Sequence, residues 1–171
     1  MNFFPDIRRL LIASWLGAAC FFSFAVTPSA FAVLPTREIA GALVSQTLAI
    51  VNYSGLVVGL ILLASSFVGA RFANRFRLWT ERFALLILTL ACAVGQLVIA
   101  LWLSIIKNQI GRPIDEIAVD DPLRIQFNNL HQYSVWALVT AMLAALVAYF
   151  LMTRNRAEKV TVTEKQDVKY N

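Results

Sequence analysis

The chain has 171 residues, of which 59% are hydrophobic and 15% charged, with a mean hydropathy of +0.69 and a formal net charge of +5. Soluble domains are about 45–50% apolar and about 25% charged, so this excess is too large for one small core, and lipid is the expected solvent. The basic balance does not point to nucleic acid, because the charges fall only between apolar blocks.

A helix needs about 20 apolar residues to cross the hydrocarbon core. The first such stretch covers about residues 10–34 and is interrupted at Thr27-Pro28. Arg8-Arg9, the apolar run and Ala30-Phe31-Ala32 imitate a signal peptide, and Leu16 to Cys20 imitates a lipoprotein site. The run is longer than a signal h-region, so the span is expected to be retained. The second covers about residues 37–70, with Thr36 as N-cap ahead of Arg37-Glu38. It is too long for one perpendicular crossing. Either it tilts strongly, or it breaks near Asn52-Tyr53-Ser54-Gly55. A third span covers about 80–106 and a fourth about 122–152, where Asp121-Pro122 reads as N-cap and first helical residue. The domain therefore covers residues 1–153, and the polar tail 154–171 is expected to lack regular structure.

Lysine and arginine in the connections set orientation. Arg8, Arg9, Arg71, Arg75, Arg77, Arg82, Arg154, Arg156, Lys159, Lys165 and Lys169 collect on one side, against Arg37, Lys107, Arg112 and Arg124 on the other. The expected fold is all-α, an integral membrane four-helix bundle with both termini in the cytoplasm. Trp15, Trp79 and Trp102 lie near span ends, where amphipathic rings prefer to sit. Small residues recur four apart at Ala13 and Gly17, Gly55 and Gly59, Ala91 and Gly95, and along Ala137, Ala141 and Ala145. Such spacing lets helices approach closely in lipid.

Polar residues inside the membrane are the best sequence pointers to function. On span two, Ser45, Ala49, Asn52 and Gly59 share a helical face, opposite Ile39, Leu43, Ile50 and Val57. Counted at the helical rise, Ser23, Thr27, Asn52, Gln96 and Ser134 fall about 20–30 Å from the cytoplasmic ends, with His131 slightly further out. Mutual hydrogen bonding that fixes helix register is the plain reading of this layer; a small-ligand or ion pocket is the functional one. His131 is the sole histidine and the single candidate nitrogen ligand for a metal, and a metal or haem role would need Met or Cys help or a second chain. Cys20 and Cys92 lack paired spacing, and the acids Asp115, Glu116, Asp120 and Asp121 read as a solvated loop. No buried acid and no nucleophile–base pair is expected.

Gly17, Phe21-Phe22-Ser23, Pro28, Phe31, Leu34 and Ala40-Gly41, and later Phe127-x-x-Leu130-His131-x-x-Ser134, resemble a small bacterial membrane family. That family is related to the eukaryotic transmembrane protein 205 and carries a domain of unknown function (number 4149). The resemblance spans most of residues 8–152 and implies a four-helix domain of a bacterial plasma (inner) membrane with no settled activity. The expected function is a non-enzymatic multi-pass protein that binds or passes a small solute or supports a membrane complex. The alternative is a metal- or haem-handling protein using His131. No cofactor is expected. The lipid bilayer is the partner that composition demands; a second copy or another membrane protein fits the small-residue faces.

Overall fold

Two local signals start helices where the sequence places them. Thr36 Oγ1 accepts a hydrogen bond from the backbone N–H of Ile39 at 3.2 Å, and Asp121 Oδ1 accepts one from Leu123 at 2.8 Å. Each side-chain oxygen satisfies a first-turn N–H that has no partner within its helix. The structure, a computed structural model, describes residues 3–68 and 75–170. Arg71 and the expected end of span two at Ala70 lie outside the described residues.

In chain order the elements are α1 (Phe3–Phe21), a π turn (Phe22–Val26), α2 (Thr27–Val33), α3 (Arg37–Val68), α4 (Arg75–Val94), a second π turn (Gly95–Ile99), α5 (Ala100–Ile110), a 3₁₀ turn (Ile114–Glu116) and α6 (Pro122–Tyr170). Every regular element among the described residues is helical. Four stretches are long and apolar enough to cross a membrane: Phe4–Val33, Arg37–Phe67, Arg75–Ile110 and Pro122–Thr153. They run alternately up and down, and each packs against its neighbours in sequence, the first also closing on the last. The first turns of α1 and α4 therefore share one end of the bundle, here the terminal end. The 111–121 connection marks the other, the loop end.

Span two is not broken. α3 runs through Asn52–Gly55 as 32 continuous residues, about 48 Å at the helical rise. The irregularities sit in spans one and three instead. Before Pro28, which has no N–H to donate, the backbone N–H of Thr27 reaches back five residues to Phe22 O. In span three Ala100 likewise donates to Gly95 O. α6 also departs from expectation: the tail read as structureless continues the helix to Tyr170. No glycine or proline lies between Leu123 and Asn171 to stop it.

The core joins Ile12, Trp15, Leu62, Leu85, Leu88 and Cys92 with Ala141, Ala145 and Ala148. Close approach depends on two glycines of α3. A Cβ at Gly55 would stand 2.6 Å from Cys92 Sγ and 2.7 Å from the Trp15 ring, and one at Gly59 would collide with Thr89. The small residues of α3 and α6 thus do pack inward. Ala13 and Gly17 do not: Ala13 is exposed, and nothing lies within 4 Å of a Cβ built at Gly17. Ile39, Leu43, Ile50 and Val57 are exposed, as a lipid-facing side requires.

Candidate functional site

At the terminal end, Arg8, Glu81 and Arg82 are bound into the fold. Arg8 reaches across the bundle from α1 to α4, and its Nη2 lies 2.7 Å from Glu81 Oε1. The same nitrogen donates to Leu62 O of α3 at 3.2 Å. Glu81 is 1% exposed, so the expectation of no buried acid is corrected. Glu81 stands one and two turns before Leu85 and Leu88 on the face of α4 that packs inward, and Arg8 neutralises it there. One residue on, Arg82 donates to Ser66 Oγ at 3.2 Å and to Ser66 O at 3.0 Å, and its guanidinium lies 4.1 Å over the Phe67 ring. Deeper in, Trp15 is 4% exposed and donates from Nε1 to Val51 O at 3.0 Å. It anchors helices and does not sit at the membrane interface as expected. Trp79 and Trp102 are exposed, as interfacial rings are.

The polar layer divides. Asn52 is 4% exposed, and its amide lies against Gly95 of span three, 3.3 Å from where a Cβ would stand; Ala137 of α6 closes the same spot at 3.8 Å. The two π turns start at this depth, each fourteen residues, about 21 Å, beyond its member of the Arg8–Glu81 pair. Ser134 is buried and Gln96 half-buried. Ser23 donates to Ala19 O at 2.8 Å in its own helix and contacts Met142 Sδ of α6 at 3.9 Å. Thr27 bonds only backward, to Phe22 O at 3.1 Å. His131 is not part of this cluster. It is exposed and stands six residues, about 9 Å, nearer the loop end than Ala137.

His131 belongs to a cavity of about 600 Å³ at the loop end. Its walls are one face of α3 (Arg37, Glu38, Gly41, Val44, Ser45), the end of α5 with the following loop (Lys107, Asn108, Arg112, Ile114), and one face of α6 (Arg124, Phe127, Asn128, His131), with Phe31 of α2 beside them. The spacings 37, 41, 44 and 45, and 124, 127, 128 and 131, are those of a single helical face. Gly111, at φ +65°, ends α5 in the left-handed conformation and turns the chain across the cavity. Among the described residues, four arginines and lysines line the cavity with one glutamate. Glu116 and Asp120 do not line the cavity, and Asp121 spends an oxygen on its cap. Arg124 donates to Ile117 O, which ties the loop to α6. Lys107 Nζ lies 5.8 Å from the Phe127 ring, and that ring stacks on His131 at 6.4 Å. No group of three or more metal-ligating residues occurs among the described residues.

Residues 10–112 match the model of the family described as Domain of unknown function (DUF4149). The chain belongs to that family. The match takes in the first three spans and the cavity wall from Phe31 to Arg112; α6 lies beyond it. No curated protein and no solved structure matches the chain.

Sequence reasoning found Asn52 and His131 but placed them in one layer, and it missed the Arg8–Glu81 pair and the basic cavity. One signal was present for the pair: Glu81 is the sole acid between Glu38 and Asp115. For the cavity, the signal was the phase of Arg124, Phe127, Asn128 and His131 on one helical face.

Proposed function

We propose that this is a non-enzymatic multi-pass protein of a bacterial plasma (inner) membrane, in a family related to eukaryotic transmembrane protein 205, that binds a small anionic solute at its loop end. The observation that carries the reading is the cavity of about 600 Å³ with, among the described residues that line it, four basic side chains against one acid. A cleft lined by one sign of charge concentrates counter-ions of the other. Arginine offers a planar fork of donors to carboxylate or phosphate, and Ser45, Asn108 and Asn128 supply neutral groups to orient the ligand. Eleven cationic residues against four support cytoplasmic termini, and with that orientation the cavity opens outside. The buried carboxylate Glu81 is salt-bridged, which supports a structural role over catalysis. The metal reading around His131 loses support because Lys107, Arg112 and Arg124 share its cavity and would repel a cation.

Calorimetric titration of the protein in neutral-lipid nanodiscs tests this. Ethyl phosphate should bind and ethylammonium should not, and Arg112→Gln with Lys107→Gln should weaken the anion about a hundredfold, the loss of two charge-assisted hydrogen bonds at about tenfold each. Preference for the cation, or stoichiometric metal or haem in the purified protein, would displace the reading.

A further inference from the structure

We propose that the ligand of the loop-end cavity is an amphipathic anion, with a phosphate or carboxylate head and an apolar body. This rests on the anion-binding reading above and adds the class of molecule. Volume is the first argument. Pockets of about 300–1,000 Å³ hold drug-sized ligands, and at about 600 Å³ this one would be left mostly unfilled by a bare inorganic anion.

The second argument is how the lining changes with depth. On α3 the charged pair Arg37 and Glu38 stands at the mouth, and Val44 lies seven residues, about 10 Å, further into the bundle. Val44 is buried and Phe31 is half-exposed. On α6 Arg124 stands at the mouth, the Phe127 ring one turn deeper, and His131, stacked on that ring, one turn deeper still. A head held by the cationic mouth therefore directs its body along Phe127 and Phe31 toward Val44.

The third argument is the space between those two zones. Gly41 lines the cavity midway along this face, and a Cβ built there meets nothing within 4 Å. The groove is open at the point where a chain would pass from mouth to floor. It also begins at the first turn of a membrane span, the depth at which amphipathic molecules collect. A lipid with an anionic headgroup and a free amphipathic anion share this chemistry.

The test compares ethyl phosphate with octyl phosphate on the full chain in phosphatidylcholine nanodiscs, with empty discs subtracted. Octyl phosphate should bind at least about tenfold tighter, which two fully buried methylenes already supply. Gly41→Leu should remove that advantage, bringing the octyl-to-ethyl affinity ratio close to one, because the new side chain fills open groove. Its unfolding midpoint should match the wild type, so that lost binding cannot be mistaken for lost fold. Octyl phosphate should weaken in phosphatidylglycerol discs if lipid supplies the occupant, and hold its affinity if the occupant is a free solute; both results support the proposal. Equal affinity for the two phosphates would overturn the amphipathic ligand and leave anion binding standing. No anion binding at all, or tighter binding of octyltrimethylammonium, would overturn both.

Discussion

Basic side chains stand at both ends of the bundle, and apart from Arg124, which is tied to Ile117 O, and Arg37, which also has a partner, those at the loop end are used differently. At the terminal end Arg8 is paired with Glu81 and Leu62 O, and Arg82 with Ser66. At the loop end the side chains of Lys107 and Arg112 line a cavity and make no hydrogen bond or ion pair with another described residue. Burial explains the difference. A charge held among apolar helices must be matched on the spot, because desolvation is costly. A charge at the wet rim of a cavity stays solvated until a ligand arrives. The same residue type is therefore architecture at one end and a candidate recognition surface at the other.

The comparison breaks most sharply at the buried pair. Glu81→Ala or Arg8→Ala leaves an uncompensated buried charge and should cost about 3–5 kcal/mol, read by equilibrium unfolding in mild detergent. Replacing both by leucine should cost less than the two single losses combined. If Glu81→Ala unfolds like the wild type, the terminal end is not held by charge. Next in size is Gly55→Ala, which drives a methyl into Cys92 and Trp15 and should cost on the order of 1–3 kcal/mol. A neutral result there would show that the helices can move apart freely. At the loop end, Arg112→Gln should stay within about 0.5 kcal/mol of wild type without ligand, as surface substitutions do. Opposite in sign, Gly17→Ala should stabilise by up to about 1 kcal/mol, since open space surrounds it and alanine is the better helix former. A loss at Gly17 would mean that this outward face is packed against another molecule.

What the sequence showed in advance was local or periodic. The caps at Thr36 and Asp121 act within three residues of themselves, so their residue types suffice to find them. The spans follow from length and hydropathy. Asn52 could be read as buried because Ile50 and Val57 mark the opposite face. The Arg8–Glu81 contact joins residues 73 apart in sequence, and no local pattern encodes which way two distant helices turn toward each other. Counting residues gave depth only to within a turn or two, which is why His131 was grouped with Asn52, and it gave no azimuth. The π turns were hidden for a related reason: Thr27-Pro28 announced a disturbance in span one, whereas Gly95 gave no comparable sign in span three. The cavity needed three segments in place together, and only one helical face of it at a time is visible in the sequence.

The two-ended account is tested most directly by the stabilisation that a saturating phosphate monoester confers on unfolding. At about 100 times its dissociation constant, a ligand that binds only the folded state adds about 2.7 kcal/mol. Wild type should show that gain. Arg82→Gln, altered at the terminal end, should start less stable yet gain as much. The double variant Lys107→Gln, Arg112→Gln should start as stable as wild type and gain little or nothing. An undiminished gain in the double variant, or its loss in Arg82→Gln alone, would contradict the division of labour between the two ends.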